Sequence, residues 1–556
     1  MCGIIGMISN GKSVSREVVQ GLVALQHRGR DSSGIITTNW NGSEFGSIIR
    51  GVGPAKEVFK DVNLDEIVAR AAIGHDRYST IGSNLSGDAQ PLYKSKTGTA
   101  IAHNGHIANY LKLKEELKQR KSYHLATQCD AEALLCALVQ NMIDLKSYEA
   151  VDTPQFVNEK FFPAVRAILD HGAKYGVTGA YSVIGLSIGH GIFALKDPHG
   201  TRPLIFAQRR EQRKLRERGE LIEKIEQEKL IEGREQRELV GQRDRKKLTG
   251  QREGRELIER INEREDDDEV IYAFASESIA LPKLRGFDKY EELGPGEAVF
   301  IDFNMNVYKQ TIFSLGQKIC KFEPVYFAKG VSYFNGKVIE DIRYELGLEA
   351  ADEFSYLKDR IDNILAVPKT AIRAAEAVAK AWDKPFGGIE AADDGIRSFL
   401  GGTQTERNLI AYFKFSYNPH RIEGKSVGVI DDSVVRGTIS KSLVRALYEL
   451  GAKEVHFISV YPPFIGICAG GIDVPEEKEL LLNENTPEAI EIARQTINAT
   501  TLNYLSRDRL LKTLGLTEDT VCSGCTKKEY PFDLGDYYRF QEQRRSERLE
   551  MERLIS

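Results

Sequence analysis

The sequence of 556 residues has no long apolar run, no strong excess of either charge and few cysteines. A membrane-spanning helix needs about 20 consecutive, mostly apolar residues. No stretch here approaches that, so no span is expected. Lys and Arg number 76 and Asp and Glu 81, a net charge of −5. So even a balance argues against nucleic acid or an anionic membrane surface as the main partner. Seven cysteines are an odd count spread thinly along the chain. They argue against a disulfide scaffold and for a reducing cytoplasm, where thiols serve catalysis or metal binding. The opening residues, MCGIIGMISNGKS, carry neither a basic region nor a long apolar stretch, so no signal peptide is expected. What is present is ordinary globular material, 41% hydrophobic, enough chain for two large domains or three to four smaller ones.

Residues 1–207 alternate short apolar, β-branched runs with glycine-rich turns: CGIIGMI, SGIITT, AAIGHDRYST, TAIAHNG and YSVIGLSI. These read as buried strands. REVVQGLVALQ and AEALLCALVQNMI between them read as helices, which together suggest stacked sheets with helices outside. Residues 209–269 differ. They hold 18 Lys or Arg and 19 Asp or Glu, with no proline, cysteine or aromatic residue. A thin apolar stripe on so charged a segment predicts a solvated helical insertion. From about residue 320, strands (ILAVP, SVGVIDDS, VHFISVY) alternate with helices (TAIRAAEAVAKAWD, SKSLVRALYELG, PEAIEIARQTI). That alternation predicts βαβ units on a parallel sheet. The tail RFQEQRRSERLEMERLIS reads as a charged amphipathic helix.

Cys2 follows the initiator methionine. Its small size favours Met removal, which would place a thiol and a free α-amine on one residue. An α-amine has a pKa near 8 and can serve as base for its own thiol. Asn104 and Gly105 in AHNG suit an oxyanion hole, one through a side-chain amide and one through a backbone N–H. Arg77 in GHDRYST and Asp130 in TQCDAE are the residue types that clamp the carboxylate and the ammonium of an amino acid.

MCGIIG, LQHRGRDSSGI, GHDRYST, AHNG and CDAE occur in this order. They resemble the class II glutamine amidotransferases, whose N-terminal domain is an αββα sandwich of the N-terminal-nucleophile hydrolase type. The resemblance implies that Cys2 is the nucleophile and that Asn104 and Gly105 form the oxyanion hole. It implies that Arg77 and Asp130 hold glutamine and that Arg28 supports the closed site.

In the second half an apolar strand runs into Asp431, Asp432, Ser433, Val434, Val435, Arg436, Gly437 and Thr438, where a helix begins. Loop N–H groups and a helix N-terminus can cradle a phosphate. The carboxylates would take ribose hydroxyls or approach the ligand through Mg²⁺. VIDDSVVRGT resembles the phosphoribosyl pyrophosphate (PRPP) signature of type I phosphoribosyltransferases. The two halves in this order, with DPHGTRPL, ASES, FEPVYFA and CAGGID, resemble the amidophosphoribosyltransferases. That resemblance implies Mg²⁺-dependent transfer of glutamine nitrogen to PRPP, a homo-oligomer (dimer or tetramer) and feedback inhibition by purine nucleotides. The expected units are residues 2–300, 301–515 and a C-terminal segment 516–556.

Cys522 and Cys525 form a CxxC pair, and Cys320 and Cys468 bring the set to four. Four thiolates suit a [4Fe–4S] cluster or structural zinc, and spacing does not separate the two. In one branch of the amidophosphoribosyltransferases the matching positions hold a structural cluster, so the resemblance implies [4Fe–4S] here. Cys129 and Cys136 read as core thiols.

The chain also departs from the family pattern. The pyrophosphate-side loop, AVPKTAIRAA, has Lys369 before Thr370 where an acid is common. Acidic residues AADD at 391–394 stand where cations usually lie, ahead of Arg397, Arg407 and Lys414. Two expectations follow. In the first, the transferase works with a rewired loop, and Lys369 supplies a cation from the other wall while Arg397, Arg407 and Lys414 keep positions that match family cations. In the second, the glutaminase works beside a silent PRPP-binding half.

Overall fold

In the computed structural model of the chain, Gly3–Ser9 is buried at all seven positions. Such a strand is covered on both faces, which accounts for its unbroken apolar character. It is the central strand of a seven-stranded sheet. The order runs Lys289–Glu292, Ile205–Glu211, Glu269–Ala275, Gly3–Ser9, Ala71–Arg77, Ser32–Thr38, Phe45–Val52, antiparallel throughout. A second, six-stranded antiparallel sheet runs Val307–Thr311, Glu297–Asp302, Gly191–Lys196, Gly179–Ser187, Thr99–Ile107, Leu92–Lys94. The structure describes residues 1–78, 86–119, 125–145, 152–211, 269–282, 286–287, 289–391, 415–472, 474, 476–534, 536–542 and 546.

The two sheets face each other across one core. Ile4, Ile8 and Ile73 of the first meet Ala100, Ala102, Ile184, Ile192 and Val299 of the second. Helix Ser15–Leu25 covers the outer face of the first sheet. Helices Asp130–Asp144 and Phe162–Leu169 cover the second. This is the αββα sandwich expected from the first-half motifs. Its edge strand Val307–Thr311 lies beyond residue 300.

The limits of the charged segment need correcting at both ends. Arg209–Glu211 and Glu269 are strand residues that pair with one another, Glu211 opposite Glu269. Arg209 is buried there because Glu17 holds its guanidinium at 2.9 and 3.0 Å. The rest of that segment, 212–268, lies outside the described residues, as do residues 392–394, Arg397, Arg407, Lys414 and most of the tail.

The second half carries a parallel sheet of four strands ordered Asn363–Ala366, Ser426–Asp431, Glu454–Ser459, Thr501–Tyr504. Helices Ile339–Glu353, Ile372–Trp382, Thr438–Glu449 and Pro487–Ile497 accompany it, and separate apolar cores lie on its faces. Ligands of open parallel sheets bind at the C-terminal ends of the strands. Here Asp431 ends a central strand.

Candidate active sites

Cys2 immediately precedes the central strand of the first sheet. Its backbone N–H donates to Asn104 Oδ1 at 3.1 Å, and Arg28 Nε donates to its carbonyl at 3.0 Å. The thiol points to the Tyr78 carbonyl, 3.8 Å away. Burial pushes this thiol up, against the nearby N-terminal amine and Arg77, which pull it down. Met1 is buried behind it, and burial lowers its α-amine to about 5.

Asn104 and Gly105 sit on the facing sheet, in Thr99–Ile107. Asn104 Nδ2 is buried and meets no hydrogen-bond acceptor among the described residues. A buried amide donor without an acceptor is uncommon and calls for an explanation. Gly105 has φ of 142°, and a Cβ there would lie 2.0 Å from the Ala180 carbonyl. No other residue fits that position.

Arg77 ends its strand, 3% exposed, with Nη2 3.6 Å from Asp88 Oδ2. Asp130 starts helix Asp130–Asp144. It accepts from Ile107 N at 3.0 Å and lies 3.9 Å from His103 Nδ1 and 3.7 Å from His106 Nδ1. The sequence-predicted residues of the first half thus converge from four elements. Sequence reasoning assigned no role to Glu277 and Glu323, which grip Arg28 from behind. Arg28 Nη1 lies 2.7 Å from Glu323 Oε1 and bonds Glu277 Oε1 as well. ASES and FEPVYFA contain both residues, but nothing in those strings says that they meet one arginine.

At the parallel sheet, Asp432 N–H donates to Asp431 Oδ1 at 2.9 Å, and Ser433 Oγ donates to Asp432 Oδ1 at 2.7 Å. Thr370 Oγ1 donates to the other Asp432 oxygen, which joins the pyrophosphate-side loop to the ribose loop. Lys369 beside it is exposed. Val434 is buried, and the Val435 carbonyl accepts from Leu481 N at 2.8 Å. Arg436 pairs with Glu479 at 2.7 Å. Gly437 precedes helix Thr438–Glu449, whose first N–H groups have no side-chain cap.

Cys320, Cys468, Cys522 and Cys525 line one small cavity with Arg202, Lys321 and Tyr461. Burial raises Cys320 to about 12, Cys522 to about 11 and Cys525 above its ordinary value. Arg202 Nη2 lies 3.9 Å from Cys468 Sγ, and the Tyr461 hydroxyl lies 3.3 Å from Cys525 Sγ. Among the described residues no three His, Cys, Asp or Glu side chains are grouped to hold a single metal ion. The four thiols share a cavity without converging on one point.

A cysteine at the head of a buried strand faces an amide-and-glycine pair, and a carboxylate loop ends a parallel sheet. Together they define a glutamine amidotransferase joined to a phosphoribosyltransferase. The family model described as a glutamine amidotransferase domain matches residues 61–144. The amidophosphoribosyltransferase of Pasteurella multocida is 31% identical over 489 residues, 86% of this chain and 83% of that one. The Saccharomyces cerevisiae amidophosphoribosyltransferase is 30% identical over 540 residues, 94% and 92% of the two chains. The fold matches the glutamine PRPP amidotransferase from B. subtilis complexed with ADP and GMP, with TM-score 0.72 and 26% identity. That match covers 96% of this chain and 98% of the other. The chain belongs to the amidophosphoribosyltransferase family. It is a glutamine-dependent phosphoribosyltransferase, which moves the amide nitrogen of glutamine to C1 of PRPP in purine synthesis. The reading of a silent transferase half is not favoured. Among the described residues no helix is long and apolar enough to cross a membrane.

Proposed function

We propose that the residues brought together in each half divide the reaction as follows. Removal of Met1 frees the α-amine of Cys2, which takes the thiol proton. The thiolate attacks the side-chain amide carbon of glutamine. Asn104 Nδ2 and the Gly105 N–H donate to the oxyanion that forms, and the amine returns its proton to the leaving ammonia. Water then cleaves the thioester and releases glutamate. Arg77 takes the glutamine carboxylate, Asp130 its ammonium, and Arg28 fixes the Cys2 carbonyl. The unpaired, buried amide of Asn104 carries this reading, because an oxyanion is the acceptor it lacks.

Ammonia passes inside the protein to the second site, where its protonation by bulk water is avoided. It attacks C1 of PRPP and displaces pyrophosphate, giving 5-phosphoribosylamine. Asp431 and Asp432 hold the ribose hydroxyls. Ser433, Val434, Val435, Arg436, Gly437 and Thr438 wrap the 5-phosphate. Thr370 and Lys369 face the pyrophosphate, and Lys414, outside the described residues, is assigned to PRPP by its place in the sequence alone. Mg²⁺, when bound with PRPP, would neutralise pyrophosphate charge.

The four thiols fit a group larger than one ion. They line one cavity, Cys320 buried and the other three half-buried, beside Arg202 and Lys321, cations that suit an anionic cluster. A [4Fe–4S] group there would crosslink the chain and take no part in the reaction. We further read the enzyme as a cytoplasmic homo-oligomer inhibited by purine nucleotides, of which ADP and GMP accompany the B. subtilis relative. We divide the chain into the sandwich, the transferase unit and a C-terminal segment that starts near residue 516.

The test is release of glutamate and pyrophosphate from glutamine plus Mg-PRPP, with ammonia replacing glutamine in a parallel run. Cys2→Ala should abolish both products with glutamine and keep pyrophosphate release with ammonia. Retained glutamine-dependent release would refute the assigned nucleophile. Glutamate without pyrophosphate from glutamine, together with no pyrophosphate from ammonia, in the unsubstituted enzyme would refute the assigned transferase site.

A further inference from the structure

The glutaminase centre is backed by two residues that follow its own sandwich in the chain, one soon after the last strand and one far beyond it. One is Gly471, in the loop that follows Cys468. It has φ of 101°, and a Cβ built on it would lie 3.0 Å from both the carbonyl carbon and the oxygen of Gly105. That distance is tight for a side chain, and the positive φ adds strain for any residue but glycine. The Gly471 backbone therefore rests against the Cα and carbonyl of Gly105, on the far side of that residue from its N–H. The other is Glu323, which follows closely on Cys320 and donates its backbone N–H to the Cys320 carbonyl at 3.3 Å. Its carboxylate is 2% exposed and sits 2.7 Å from Arg28 Nη1, while Arg28 Nε holds the Cys2 carbonyl at 3.0 Å.

The two supports meet at Arg202, which is 1% exposed. Its Nη1 lies 3.7 Å from Glu323 Oε2. A Cβ on Gly470 would lie 2.7 Å from its Nη2. Hence one buried cation touches both the carboxylate behind Cys2 and the loop behind Gly105. Backbone N–H groups of an oxyanion hole act through their position, and a displacement of about 1 Å can cost on the order of 10²-fold in rate.

We propose that Gly471 and Glu323 are positioning residues of the glutaminase. The second half of the chain holds Gly105 in place from its carbonyl side through Gly471, and the nucleophile's backbone through Glu323 and Arg28. This rests on the assignment of Gly105 to the oxyanion hole. The consequence is that the sandwich alone does not hold a competent glutaminase geometry.

Gly471→Ala and Glu323→Gln test the idea, each assayed with glutamine and with ammonia as nitrogen source. Displaced oxyanion donors weaken the transition state and leave ground-state binding alone. The expected result is a fall in glutamine-dependent kcat of about tenfold or more, with KM for glutamine held within about twofold. Ammonia-dependent pyrophosphate release should stay within about twofold, since that chemistry bypasses the nucleophile. Gly336→Ala serves as control. Gly336 has φ of 77° with open space around its Cβ position, so it reports backbone strain alone. Equal losses with both nitrogen sources, a KM effect without a kcat effect, or a Gly336→Ala profile like that of Gly471→Ala would overturn the proposal. If Gly471→Ala does not fold, Glu323→Gln, nearly identical in shape, decides. Asn104→Ala separates the two readings: unchanged glutaminase there would sink the oxyanion assignment itself, whatever Gly471 does.

Discussion

At the scale of single residues, one buried arginine gathers two buried carboxylates. Arg28 is fully buried and meets Glu277 and Glu323. Burial opposes the charge on Glu277, yet Arg28 and His27 prevail and hold its carboxyl at about 2, against an ordinary 4.5. A carboxyl with a lowered folded-state pKa stabilises the fold above its unfolded value and loses that contribution as pH falls through the folded value. So the Glu277 contribution should be complete above about pH 4.5 and fade toward pH 2, by about 3 kcal/mol in total. Denaturant unfolding at a series of pH values between those limits should show this slope in the unsubstituted protein and a shallower one in Glu277→Gln. The Gln variant should also be less stable near neutrality, because Arg28 then keeps only one buried carboxylate. Parallel slopes for the two proteins would show that the pair does not govern acid stability.

At the scale of elements, much was legible because burial leaves a periodic trace. The strands Gly3–Ser9, Ser32–Thr38 and Ala71–Arg77, legible from their apolar and β-branched residues, are buried at every position, including the polar residues of the last two. The βαβ alternation after residue 320 gave the parallel sheet, and VIDDSVVRGT fell at the C-terminal end of a central strand. The ends of the charged segment were not legible. Arg209–Glu211 and Glu269 look like the solvated run beside them. Only long-range partners, Glu17 for Arg209 and Lys12 at 3.6 Å for Glu269, make them strand residues. The same limit hid Gly471 and Glu323, whose importance lies in contacts with residues hundreds of positions away. Pairing of Glu211 with Glu269 brings the two ends of 212–268 side by side. A two-residue Asn-Gly turn closes an antiparallel pair of this kind. Replacing residues 212–268 by that turn should leave glutamine- and ammonia-dependent rates within about twofold, as expected of a surface insertion closed by a hairpin. A large change in either rate, or in inhibition by purine nucleotides, would give the segment a regulatory role.

At the scale of the whole molecule, the thiol cavity is where distant stretches of chain are joined. Cys320 N–H donates to the Thr201 carbonyl at 3.3 Å, and Cys522 N–H to the Ile319 carbonyl at 2.8 Å. The Cys525 carbonyl accepts from Ile465 N and Gly466 N. Beyond it the chain returns to the sandwich, where Asp536 accepts from Lys112 N at 2.7 Å and Phe540 packs edge-on against Tyr110. A group bound by all four thiols would close one loop from Cys320 to Cys468 and another from Cys468 to Cys522 at once, and crosslinks over long loops restrict the unfolded chain most. Four cysteines around one cavity are the number of ligands that the proposed cluster requires. Protein purified without oxygen should therefore carry about four irons and four sulfides per chain and no stoichiometric zinc. Air exposure or Cys522→Ser should remove the iron and lower Tm by roughly 10 °C. Glutaminase and transferase activities should then be lost together on warming, since both sites depend on segments anchored at this cavity. One zinc per chain, or an iron-free protein with unchanged Tm, would refute the cluster. In that case the thiols would be left as plain core residues around Arg202.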